Sequence, residues 1–333
     1  MKRIAYLSGL GGLLLLTALV LHQGWQPMLA AFAHAGWPLL WLVPAHLVPL
    51  AFDTEAWRVL LEQNDRTRRA GFLFLLWVAA VREAVNRLLP AAGIGGEVVG
   101  IRLARMRIPD TTTVSATVIV EVLITIVVQY LFCALGIVLM AHVAAGLGQL
   151  WSILAALLVS LPLPGVMYWL LRHGSVFERL ERWAGKLFGP QDRFALRLDG
   201  VRLDADIHRL LIQPWRLARA LGWQFGGYVL GTFETWFALR LLGYPVSVKA
   251  ALAIESLTQV TRHATFIVPA GLGVQEAAVL LFGYMAGVNG DLALSLALVK
   301  RMREILFGVP ALLSWQWLEA RQLRQAGRLV NSK

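Results

Sequence analysis

The run EAVNRLLPAAGIGGEVVGIRLARM, Glu83 to Met106, decides how this chain is read. It is apolar enough for burial, yet Pro90, the glycines at 93, 95 and 96, and the charged Glu83, Arg87, Glu97 and Arg102 interrupt it. Proline removes a backbone donor and breaks a helix, while glycine permits positive φ and close backbone approach. One unbroken helix is therefore excluded, and the segment from Ala70 to Arg107 reads as a broken, re-entrant helical hairpin.

A second copy lies far downstream. PAGLGVQE, Pro269 to Glu276, repeats the seven-position spacing of PAAGIGGE, Pro90 to Glu97. Gly271, Gly273 and Gln275 lie inside it, and Glu255, Gln259, Arg262 and His263 precede it as Arg82, Glu83, Asn86 and Arg87 precede the first. The segment Val248 to Gly287 accordingly reads as a second re-entrant hairpin. The dinucleotide fingerprint fails, since GIGGEV lacks its third glycine and no strand–helix context surrounds it.

The surroundings decide the solvent. Of 333 residues, 58% are hydrophobic and 15% charged, with a mean hydropathy of +0.63, too little polar surface for a soluble domain. Apolar runs at about Ile4–His22, Gly36–Leu61, Thr112–Ala141, Leu150–Leu171, Leu217–Leu242 and Leu292–Trp317 are each long enough to cross roughly 30 Å of hydrocarbon. The first follows Lys2 and Arg3 but lacks a small-x-small cleavage site, so it reads as an uncleaved helix. The expected fold class is an all-α polytopic membrane protein with six full crossings and two re-entrant hairpins. Residues 1–333 form one transmembrane domain, with repeat units over 36–141 (re-entrant part 70–107) and 217–317 (re-entrant part 248–287).

Loop charge orients this scheme. Lys2, Arg3, Arg66, Arg68, Arg69, Arg102, Arg105, Arg107, Arg321, Arg324, Arg328 and Lys333 fall on one side, whereas His22–Gly36, His142–Gln149 and Val288–Asp291 contain no Lys or Arg. Basic loops stay in the cytoplasm, so both termini are expected on the cytoplasmic side. The loop 172–216 has nine basic and six acidic residues and reads as amphipathic helices on the inner leaflet. Much of the +11 net charge is thus topology and anionic-lipid contact, which argues against nucleic acid. Three crossings separate the two hairpins; an odd number reverses direction, so the copies should form an inverted repeat meeting near the midplane.

Charge at that depth is expensive, roughly 2.5–3.5 kcal/mol per residue on insertion scales. Glu97 and Glu276 stand at the start of the helix after each break, a site that also favours a carboxylate through the helix dipole. Lys300, Arg301, Arg303 and Glu304 lie deep in the last crossing. Arg301–Glu304 and Lys300–Glu304 have i,i+3 and i,i+4 spacing, so one local pair is available, and the remaining cations must face Glu97, Glu276, Glu121, water or a polar lipid head. Asp53, Glu55 and Arg58 are placed to snorkel, and Glu234 and Arg240 flank the outer half of their span. The seven histidines are scattered without ligand spacing, Cys133 is alone, and serine elbows and phosphate loops are missing, so no cofactor, metal or catalytic function is expected.

The stretches EAVNRLLPAAGIGGEVVGIRLARM, IVPAGLGVQEAAVL and LALVKRMREILFG resemble the lysylphosphatidylglycerol synthase transmembrane, or flippase-like, family. The LLP-GGEVV and ALVKRMRE runs are most similar to its hopanoid-biosynthesis-associated branch. The resemblance implies a bacterial inner-membrane protein that moves lipids between leaflets or feeds their export, with membrane lipids, hopanoid or phospholipid, and lipid-biosynthesis or export proteins as partners. It brings no soluble aminoacyl-transferase domain into these residues, so lipid lysylation is not expected. It further implies Glu83, Asn86, Pro90, Gly95, Gly96, Glu97 and Arg102 as the inner half of a pathway. Pro269, Gly271, Gly273, Gln275, Glu276, Lys300, Arg301, Arg303 and Glu304 form its outer half. Gly93 and Arg262, read from the breaks themselves, complete the candidate set. An ion-coupled small-solute transporter and a lipid-modifying enzyme are the alternatives.

Overall fold

The computed structural model describes residues 36–62, 65, 69–89, 95–143, 151, 154–155, 158, 161–188, 199–264 and 273–331. The first expected crossing, Pro90, Gly93, Pro269 and Gly271 lie outside them. Every element among the described residues is helical. A 3-10 turn, Trp37–Trp41, leads into α1 (Leu42–Ala45) and α2 (Leu47–Leu61), followed by α3 (Phe72–Leu88), α4 (Gly95–Ala104) and α5 (Thr111–Val143). Then come α6 (Pro162–His173), α7 (Val176–Phe188), α8 (Gly200–Leu211), α9 (Pro214–Leu241), α10 (Val248–Ala264), α11 (Val274–Met285) and α12 (Gly290–Asn331).

Local chemistry sets the boundaries. Pro162 and Pro214 open α6 and α9, where the missing N–H costs nothing. Asp199 caps α8 by accepting from the Arg202 N–H at 3.1 Å. Gly273, at φ 76°, turns the chain into α11 in a conformation that disfavours any side chain.

The elements pack in matched pairs. α2 lies along α9, α5 against α10, and α12 against α3, while α3 packs on α4 and α10 on α11. Both broken segments close at their open ends. Arg107, after α4, donates to the Arg69 carbonyl before α3 and stands over the Phe74 ring at 4.4 Å. Tyr244, before α10, donates its hydroxyl to the carbonyl of Gly287, after α11, at 2.8 Å.

Among the described residues, α5 alone is long and apolar enough to cross a membrane unaided. α2 has only 15 residues, and α9 and α12 carry ionic side chains. Leu131, Val138, Leu313 and Trp317 are nonetheless exposed on α5 and α12, an apolar exterior unsuited to water. α7 and α8 replace the long polar loop. α8 buries Leu203, Ile207, Leu210 and Leu211 in the same core as Val120 and Ile124 of α5, so its apolar face meets protein rather than a leaflet.

Candidate functional site

Glu97 sits in the first turn of α4 because α3 holds that helix end directly. Asn86 on α3 accepts from the Gly96 N–H at 2.8 Å and donates to Glu97 at 3.4 Å, satisfying one of the helix's orphan donors. A Cβ on Gly96 would lie 2.3 Å from the Arg82 carbonyl oxygen, so only glycine permits this approach. Arg82 pairs with Glu97, and with Glu121 on α5 at 3.0 Å, while its guanidinium lies over the Trp57 ring at 4.9 Å.

The second broken segment builds a similar junction from different residues. Glu276, in the first turn of α11, accepts from Arg301 of α12 at 3.0 Å. Arg301, wholly buried, also donates to Glu304 at 2.9 Å. Arg262 on α10 reaches both Gln275 at 2.7 Å and Glu304 at 2.8 Å. Arg87 of α3 approaches the same Glu304 oxygen at 3.3 Å and thereby ties α3 to this second junction.

A third group adjoins the second junction through Arg87. Arg303 lies 3.2 Å from Glu234 of α9 and 3.6 Å from Glu83 of α3, and Glu83 is 3.5 Å from Arg87. His46, at the start of α2, contacts Glu234 through Nδ1 at 2.6 Å and Glu83 through Nε2 at 2.7 Å. Lys300 pairs instead with Glu255 of α10, and Thr235 joins them. Nearby, Gln224 donates to Asp53 at 3.0 Å.

The described candidates Glu83, Asn86, Gly96, Glu97, Arg262, Gln275, Glu276, Lys300, Arg301, Arg303 and Glu304 therefore lie in three clusters of buried ion pairs, centred on Arg82, Glu304 and Lys300, with Gly95 and Gly273 at the ends of the helices that shape them. Arg102 does not join them. It sits at the far end of α4, largely exposed, and pairs with Glu319 at 2.8 Å. Of the two local pairs open to α12, Arg301–Glu304 forms, whereas Lys300 turns to Glu255.

Sequence reasoning missed His46 as a participant and gave Arg82, Arg87, Glu234 and Glu255 no defined partner. The available signal for His46 was its isolation as the one titratable side chain between Gly36 and Phe52. The network also differs from the cation-rich core read from the last crossing. Among the described residues, the ion pairs hold six fixed cations, Arg82, Arg87, Arg262, Lys300, Arg301 and Arg303, against seven carboxylates, Glu83, Glu97, Glu121, Glu234, Glu255, Glu276 and Glu304, with Asp53 beside them. Among the described residues these charges close largely on one another. Among the described residues, no group of three or more His, Cys, Asp or Glu is placed to hold a metal ion.

Neither the curated proteins nor the solved structures give a match to this sequence. The model of one family, described as the lysylphosphatidylglycerol synthase TM region, matches residues 5–311. The chain belongs to this lysylphosphatidylglycerol synthase transmembrane-region family and is a membrane protein.

Proposed function

We propose that the chain is a bacterial inner-membrane lipid transporter, moving hopanoids or related polar lipids between leaflets or toward export. In this reading six crossings and two re-entrant hairpins form an inverted repeat, with both termini cytoplasmic, and no chemistry is performed on the lipid. The observation that carries it is the closure of each broken segment at its own open end, Arg107 onto Arg69 and Tyr244 onto Gly287. A segment whose ends meet returns to the side it left. α4 and α11, with 10 and 12 residues, rise only about 15–18 Å, roughly half the hydrocarbon.

The packing supports inversion. Val114 and Val118, early in α5, share a core with Ala70 and Ile108, at the open end of the first hairpin. Cys133, Ile137 and Met140, late in α5, share a core with Leu242 and Val288, at the open end of the second. The open ends thus belong to opposite ends of one long helix. The starts of α4 and α11 are 179 residues apart (274 less 95), as are those of α5 and α12 (290 less 111). The same displacement carries Glu97 onto Glu276.

Between those ends lies the buried network. A lipid head drawn along the seam would exchange these ion pairs for contacts with itself while its apolar part stays in the membrane. The near balance of fixed charges suits a neutral polyol or zwitterionic head as well as an acidic one, and the family's name supports a lipid-related role. Because the pairs are closed on one another, passage requires them to part.

Leaflet-specific assays on proteoliposomes test this. Wild type should accelerate the crossing of polyol-bearing or zwitterionic lipids, and Glu97→Gln or Arg301→Ala should slow it. No movement of any candidate lipid by folded wild-type protein overturns the reading, and a new lipid head group in the products would assign an enzyme instead.

A further inference from the structure

Two ring nitrogens of one buried histidine each face a carboxylate at the seam between the paired helices. His46 Nδ1 is 2.6 Å from Glu234 Oε1, and Nε2 is 2.7 Å from Glu83 Oε2. Such contacts are hydrogen bonds only if a proton lies in each. A neutral imidazole has one N–H and one lone pair, and an ionised carboxylate has only acceptors. Two protons must therefore be shared by the three side chains, one more than a neutral ring and two ionised carboxylates possess.

We propose that His46, Glu83 and Glu234 form one exchangeable proton-binding site that fastens α2 and α3 to α9 across the seam. With the extra proton bound, both contacts are hydrogen bonds. Without it, one becomes a lone pair facing a carboxylate at hydrogen-bond distance, and that contact opens.

The surroundings fit an exchangeable proton rather than a fixed ion pair. Glu83 and Glu234 also face Arg303 of α12, at 3.6 and 3.2 Å, and Glu83 faces Arg87 of its own helix at 3.5 Å. Among the described residues Arg303 Nε has no hydrogen-bond acceptor, so this guanidinium has a donor to spare for a carboxylate that His46 releases. Farther out, Glu304 and Glu255 add negative field at Arg303, and the Phe307 ring stands edge-on to His46 at 5.0 Å.

The site concerns the same seam as the transport reading, yet its test reads protonation alone, so either can fail without the other. Full-length protein labelled with 15N in its histidine rings is titrated in lipid nanodiscs, with carboxyl protonation followed by infrared spectroscopy. The His46 resonances are those lost in His46→Gln; if that variant does not fold, Phe307→Leu identifies them through the lost ring-current shift. The expected result is that the triad gives up one proton in a single step between about pH 5 and pH 10. Before the step, both ring nitrogens are protonated, or one is bare while a carboxyl bears a proton. In Glu234→Gln, whose amide N–H can donate to a bare nitrogen, His46 should carry a single proton throughout. A wild-type His46 that stays neutral with both carboxyls ionised over that range overturns the proposal, as does an imidazolium that never releases its proton. Lipid movement by a protein whose triad does not titrate would leave the transport reading standing and remove this one.

Discussion

Arg301 and Glu276 meet at 3.0 Å, the arginine side chain wholly buried, although they lie 25 residues apart on two different helices. Arg301 also donates to Glu304, so one guanidinium contacts two carboxylates. Arg301→Leu should therefore destabilise the fold by about 3–5 kcal/mol, the usual cost of stripping one partner from a buried pair. Thermal unfolding in detergent checks this, and adding Glu276→Gln should recover part of the loss. An unchanged midpoint would show that Glu276 does not depend on Arg301.

Gly96 and Gly165 should respond oppositely to alanine. A Cβ at Gly96 meets backbone oxygen at 2.3 Å, which flexible side chains cannot relieve, so Gly96→Ala should cost about 1–3 kcal/mol. Gly165, inside α6, has nothing within 4 Å of its Cβ position, and Gly165→Ala should gain up to about 1 kcal/mol of helix propensity. Paired melting curves give the sign of each.

Opposed entry of the hairpins has a direct test. The sole cysteine is buried Cys133, so a Cys133→Ala background makes single reporters practicable. Arg105→Cys reports the open end of the first hairpin, and Pro245→Cys that of the second; both native positions are exposed. An impermeant thiol reagent added to spheroplasts should label Pro245→Cys alone, and Arg105→Cys only after lysis. Labelling of both from one side would sink the inverted arrangement.

Arg102 and Arg82 should separate sharply. The exposed Arg102–Glu319 pair is screened by water, so Arg102→Ala should cost less than about 1 kcal/mol. Arg82 is buried between Glu97 and Glu121, and Arg82→Ala should cost several-fold more. Chemical denaturation of both variants in the same detergent provides the comparison.

Helical class, the interruptions after Leu89 and Ala264, and the i,i+3 pair of Arg301 with Glu304 were legible in the chain because each depends on neighbours within a turn or two. The polar candidates of the two motifs sit in buried ion pairs, but Arg102 does not, since seven residues of helix separate it from Gly95 at α4's start. Lys300 was equally ambiguous: its spacing allowed Glu304, and packing gave it Glu255.

Composition and local pattern by themselves determined that this chain folds as helices for a membrane and that Glu97 and Glu276 stand at helix starts. Only the tertiary arrangement decided that His46 faces both Glu83 and Glu234, that Arg82 belongs to Glu97 and Glu121, and that each broken segment closes on its own beginning. The reason is physical. Periodicity and backbone propensity act over a few residues, whereas the partner of a buried charge is selected by how helices distant in sequence pack, and nothing local to a side chain encodes which opposite charge it will meet.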